Sequence, residues 1–156
     1  MRRHLPLLAA CALLAAGAAF WDSRDTRPAH APTVATQDHD VAASTRSDAI
    51  LANAFEQQRR SFQVEGSGEV VRVLADDDNG SRHQRFILRL GSGQTLLVAH
   101  NIDLARRIAG LAEGDTVAFS GEYEWSHQGG VIHWTHHDPD GRHAAGWLRH
   151  EGVTYQ

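Results

Sequence analysis

Six of the eleven histidines fall in the last thirty residues, and four of them lie in the run His133-Trp134-Thr135-His136-His137-Asp138-Pro139-Asp140-Gly141-Arg142-His143. Imidazole titrates near neutrality and is the commonest metal ligand. Spacing divides the run. His133 and His137 are four residues apart, roughly 13 Å along an extended strand. Zinc–nitrogen bonds are about 2.0–2.1 Å, so the two cannot share one ion unless the strand ends or bends between them. Two clusters remain. One is His133 with Glu124 and Glu122 from the preceding acidic segment. The other is His137, Asp138 and His143, drawn together by the turn Asp138-Pro139-Asp140-Gly141. Turn residues can converge, so the second cluster is the expected centre for a divalent metal such as zinc or copper. Glu124 and His133 are then the candidates for acid–base work beside it. The plainer reading is that Glu124 and His133 form an ordinary cross-strand pair, that the turn is solvated, and that the tryptophans are core.

Other chemistries lack their residues. Fifteen basic residues are all arginine, which excludes Schiff-base chemistry on a lysine. The one cysteine, Cys11, sits in an apolar stretch, so no intrachain disulfide and no thiolate zinc site is available. No G-x-S-x-G, P-loop or H-E-x-x-H string occurs. The triplet Asp76-Asp77-Asp78 has Ala75 where a calcium loop would place its first ligand and Phe86 where it would place its last. The net charge is −4. Nucleic-acid binders work mainly by neutralising phosphates and show a basic stripe; none is present, so non-specific nucleic-acid binding is not expected.

The elements that must position these groups read as a mainly β domain over 48–156. Asp48 or Ser47 is expected to cap a short helix running to Arg60, with Ile50, Leu51, Ala54 and Phe55 as its apolar stripe. Strands are predicted at 69–75, 82–90, 94–100, 116–125 and 131–136. Asn79-Gly80 signals a hairpin, and Leu104, Ile108 and Leu111 mark a short helix between the third and fourth strands. Three strands, a helix and two strands is the order of the five-stranded oligonucleotide/oligosaccharide-binding (OB) barrel, with an SH3-like barrel as rival. A carboxy-terminal hairpin, 147–150 and 153–156, is expected to cover a barrel edge. Burial of Tyr123, Trp125, Ile132 and Trp134 on one face predicts Trp125 opposite Ile132 and Glu124 opposite His133. His136 then falls on the core side.

Met1-Arg2-Arg3-His4, an apolar run from Leu5 to Trp21 and a polar close have the layout of a secretory signal or an amino-terminal anchor. Either would place the domain in the periplasm or at the inner membrane facing it. Residues 22–47, rich in Ala, Thr, Ser, Asp and Pro, read as a disordered linker.

The strings His83-Gln84-Arg85-Phe86-Ile87-Leu88, Val98-Ala99-His100-Asn101-Ile102-Asp103-Leu104-Ala105, and Gly121-Glu122-Tyr123-Glu124-Trp125 followed by Gly129 to Pro139 together resemble an uncharacterised family of bacterial envelope proteins, the domain of unknown function 3465 family. The resemblance runs from about residue 52 to the carboxy terminus. It implies a single secreted or anchored domain and carries no assigned activity or site. Three functional readings follow from the residues. The first is a module that binds a small ligand or a divalent metal through its His/Asp/Glu/Trp surface. The second is a metal-dependent hydrolase of phosphodiester-type substrates, with His137, Asp138 and His143 on the metal and Glu124 or His133 as base. The third is a structural or partner-binding envelope protein.

Overall fold

Alternating apolar residues build the barrel. The computed structural model describes residues 34–156, in the order α1 (Val34–Glu56), β1 (Phe62–Val73), β2 (His83–Arg89), β3 (Thr95–Asn101), β4 (Thr116–Glu124), β5 (Val131–His133), β6 (Trp147–His150) and β7 (Val153–Tyr155). Strands β1 to β3 form an antiparallel meander, β5 lies parallel to β3 and antiparallel to β4, and β4 pairs back onto β1. The order β1-β2-β3-β5-β4-β1 closes a five-stranded OB-type barrel. Its core is Val64 and Val70 from β1, Phe86 and Leu88 from β2, Leu96 and Val98 from β3, Val117, Phe119 and Tyr123 from β4, and Ile132 from β5. Each strand offers alternate residues to this core because successive side chains point to opposite faces.

The carboxy-terminal hairpin does cover an edge. Strand β5 pairs only with Glu122, Tyr123 and Glu124 of β4, and β6 takes over the same edge from Val117 to Ser120. Leu148 of β6 is fully buried in the core.

Four expectations are corrected. First, α1 begins at Val34, so residues 34–47 are helical rather than linker, and Asp48 is an interior helix residue whose Oδ2 accepts the Ser92 N–H at 2.7 Å. Leu51 and Ala54 are the helix residues buried against the barrel, while Ile50 is exposed. Second, β1 starts at Phe62, seven residues early, because residues 62–69 pair with β4 despite Gly66 and Gly68. A side chain at Gly66 would meet the Phe119 ring at 2.8 Å. Third, the connection between β3 and β4 holds no helix. Its helical character is limited to one turn, with the Ala105 N–H donating to the Asn101 carbonyl at 3.1 Å. Ile108 is buried there, held by Gln84, whose Nε2 donates to the Ile108 carbonyl and whose Oε1 accepts the Ile108 N–H. Fourth, β5 ends at His133 rather than His136, since Trp134 adopts a left-handed φ of 51°.

Among the described residues no helix is long and apolar enough to cross a membrane. The candidate signal or anchor at 1–21, and residues 22–33 of the expected linker, lie outside the described residues.

Candidate functional site

The β4–β5 pair places Glu122 opposite His133 and Glu124 opposite Val131. This register is two residues from the expected one. Parity is the same, so Tyr123 and Ile132 still face the core, but His133 is opposite Glu122 instead of Glu124. The reason lies in Trp125. It leaves the sheet to stack on Phe55 of α1, with ring centroids 6.4 Å apart, and its Nε1–H donates to the Phe55 carbonyl at 3.1 Å. The loop 125–130 is thereby lengthened, and it turns back where the Gly129 N–H donates to the Ser126 carbonyl. Gly130 follows with φ 119°, where a side chain would strike the Tyr123 ring at 2.2 Å.

Glu122, Glu124 and His133 each offer a ligand atom, all within 4.8 Å of one another, and they form the one such group among the described residues. His133 Nε2 is 3.6 Å from Glu122 Oε1. That nitrogen is shielded from solvent and has no hydrogen-bond partner. Burial pushes the His133 pKa below its usual value and outweighs the opposing pull of Glu122 and Glu124. The ring is therefore neutral at pH 7, the form that coordinates metal. Glu124 is held from the connection between α1 and β1: Ser61 Oγ–H donates to its Oε1 at 2.6 Å, and Arg60 lies 3.7 Å from its Oε2.

The second oxygen of Glu122 is also taken. His143 Nε2 donates to Glu122 Oε2 at 2.6 Å, and the His143 ring stacks on Trp134 at 4.1 Å with 6° between planes. The loop that delivers His143 is built on Asp138. Its Oδ1 accepts the Asp140 N–H, and its Oδ2 accepts those of Arg142 and His143. Those donors, Asp140 foremost, hold the Asp138 carboxyl below the usual carboxylate range.

The turn therefore converges, but on itself. His137 is exposed, Asp138 spends both oxygens on backbone N–H groups, and His143 reaches across to Glu122. His137, Asp138 and His143 are not gathered within ligand distance of one another. Glu124 and His133, read from the sequence as acid–base groups and as a cluster with Glu122, are brought together with Glu122 as a group that could hold a metal ion. His136 is buried as expected and sits by the His137 carbonyl at 2.7 Å.

Two further histidines escaped the sequence reading. His100 is fully buried at the end of β3. Its Nε2–H donates to the Arg106 carbonyl at 3.1 Å, which leaves Nδ1 to accept the Thr135 hydroxyl at 2.8 Å. His83 lines a cleft of about 180 Å³ together with Asn101, His133, Trp134 and His136. The β-strand parity of His100, on the same side as Leu96 and Val98, was the available signal for its burial.

Sequence comparison bears on the whole described region. No curated protein matches the chain. The sequence profile of a family described as protein of unknown function (DUF3465) matches residues 33–156, so helix α1 and the barrel fall together within it, and the chain belongs to that family.

Proposed function

We propose that this domain binds a divalent transition metal, zinc or copper(II), through His133, Glu122 and Glu124. The observation that carries the reading is the orphaned His133 Nε2. A buried nitrogen without a partner costs free energy, and a plain cross-strand ion pair would have closed the 3.6 Å gap to Glu122. Two ligand atoms on one zinc lie roughly 3.3 Å apart, given bonds of about 2.0–2.2 Å. The His133–Glu122 separation is already near that value, and Glu124 must swing in from Ser61 to complete the set. One imidazole and two carboxylates without thiolate suit zinc or copper(II) rather than copper(I). His143 then serves as the hydrogen-bond partner that orients a ligating carboxylate. The basic, apolar and polar order of residues 1–25 supports work on the periplasmic side of the envelope, which a phosphatase fusion active only after export would test.

Titration of the full-length chain with zinc and with copper(II) tests the metal. We expect sub-millimolar binding that weakens at least tenfold in His133→Ala and in Glu122→Gln and is unchanged in His137→Ala. Binding that survives His133→Ala overturns the assignment.

A further inference from the structure

Two clefts lie side by side between helix α1 and the barrel, and neither is lined by Glu122, Glu124 or His133. The first, of about 550 Å³, is lined by Val41, Ala49 and Ala52, by the hydroxyl-bearing Ser44, Thr45 and Ser92, and by Asp48. The second, of about 510 Å³, carries Phe55, Glu56 and Gln94. They share Ala52 and Ser92, so they form one groove along the helix.

Each cleft is lined by a residue whose buried acceptor has no donor. Asp48 is 7% exposed; its Oδ2 takes the Ser92 N–H at 2.7 Å, and its Oδ1 has no partner. Gln94 uses its Nε2–H on the Gly129 carbonyl at 2.7 Å, and its Oε1 is buried without a partner. Buried polar atoms are nearly always satisfied. Both atoms want an N–H or O–H, and a buried carboxylate wants a positive one. A hard divalent cation requires six or more oxygen ligands, and the side chains lining the first cleft offer fewer: the free oxygen of Asp48 and the hydroxyls of Ser44, Thr45 and Ser92. Glu56 stands eight residues beyond Asp48, about 12 Å along the helix axis, with Ala52 between them. Two anionic points with Ala52 between them and unmatched acceptors along the way describe a linear chain of methylenes and ammonium groups.

We infer that this groove binds a linear aliphatic polyamine, with one ammonium donating to Asp48 and another lying between Gln94 and Glu56. This site is independent of the metal reading.

Calorimetric titration of the full-length chain with spermidine, putrescine and magnesium tests it. Spermidine is expected to bind at least tenfold more tightly than magnesium, and more tightly than the shorter putrescine, which cannot reach both ends. Asp48→Asn keeps an oxygen for the Ser92 N–H and removes the charge; it should weaken spermidine at least tenfold without lowering the melting temperature. Gln94→Leu and Glu56→Gln should weaken it several-fold. Asp140→Asn removes a carboxylate of the 138–143 loop and should change nothing. Absent binding, equal binding of magnesium and spermidine, or equal loss in Asp48→Asn and Asp140→Asn would overturn the proposal, the last two by reducing the effect to general screening of an acidic chain.

Discussion

Glu122 is the residue on which the site turns, because its two oxygens face different histidines. Oε1 looks toward His133 and Oε2 is held by His143. Removing a hydrogen-bond partner from a ligating carboxylate typically costs 10–100-fold in metal affinity. His143→Ala is expected to lower zinc affinity by that factor, whereas His143→Gln, whose amide N–H can still donate, should recover part of it. Both are read by competition against a chromogenic chelator. A His143→Ala variant with wild-type affinity would make the Glu122–His143 bond a loop fastening only. The residue types were legible in the sequence: the acidic pair and His133 stood out as outward-facing. Which carboxylate faces His133 was not, because alternation fixes parity and leaves shifts of two residues open.

At the scale of elements, the site depends on β5 ending early and β6 replacing it along β4. Gly121 lies where the chain crosses over. A Cβ there would meet the His133 carbonyl at 2.5 Å and the side chains of Ile132 and Thr135 at 2.8 and 2.9 Å. Backbone at that distance cannot give way cheaply, and overpacking costs about 1–3 kcal/mol. Gly121→Ala is expected to lower the free energy of unfolding, read from urea denaturation, by an amount of that size and, because it pushes on His133, to weaken metal binding as well. A second element-scale effect concerns α1. Phe55 draws Trp125 from the sheet, so Phe55→Ala should free the β4–β5 loop, seen as altered tryptophan fluorescence at unchanged far-ultraviolet dichroism. The hairpin 147–155 was readable locally from its strand–turn–strand pattern. The single turn where a helix was expected was not, since Gln84, a residue of β2, takes both backbone groups of Ile108.

The whole molecule has an acid limit set by a histidine outside the Glu122–Glu124–His133 group. Burial lowers the pKa of His100 from its ordinary 6.5 to about 4. The unfolded chain thus takes up the proton first as pH falls. The stabilisation is complete above pH 6.5 and is lost progressively between 6.5 and 4. Two and a half units correspond to roughly 3 kcal/mol at most. His133 is shifted the same way and acts in the same direction. Asp103, Asp115 and Asp138 are depressed carboxylates, so their contributions persist above pH 3.8 and are lost only below it. Urea denaturation at pH 7 and pH 4.5 should show the His100 loss, and His100→Gln should flatten it. A stability that is level over this range in the unaltered chain would show that His100 is solvated. Because His100 binds Thr135, the same acid step loosens the segment that leads from His133 to His143.

The sequence by itself determined the alternation that makes the strands, the strand order that closes an OB-type barrel, the edge hairpin, and the concentration of imidazole and carboxylate near its carboxy terminus. These follow from local periodicity and turn chemistry, which each segment carries whatever its neighbours do. Only the tertiary structure decided the partners. Trp125 is taken by the helix, so the β4–β5 register moves by two. Asp138 is used up by the N–H groups of its own loop, so His143 turns to Glu122. Asp48 is buried by the β2–β3 turn rather than capping a helix. Trp125, His143 and Asp48 were each claimed by a partner distant in sequence, and the choice among partners is a property of packing. The histidine run thus contributes to the candidate site through His133 directly and through His143 by way of Glu122, while His136 and His137 lie outside the Glu122–Glu124–His133 group.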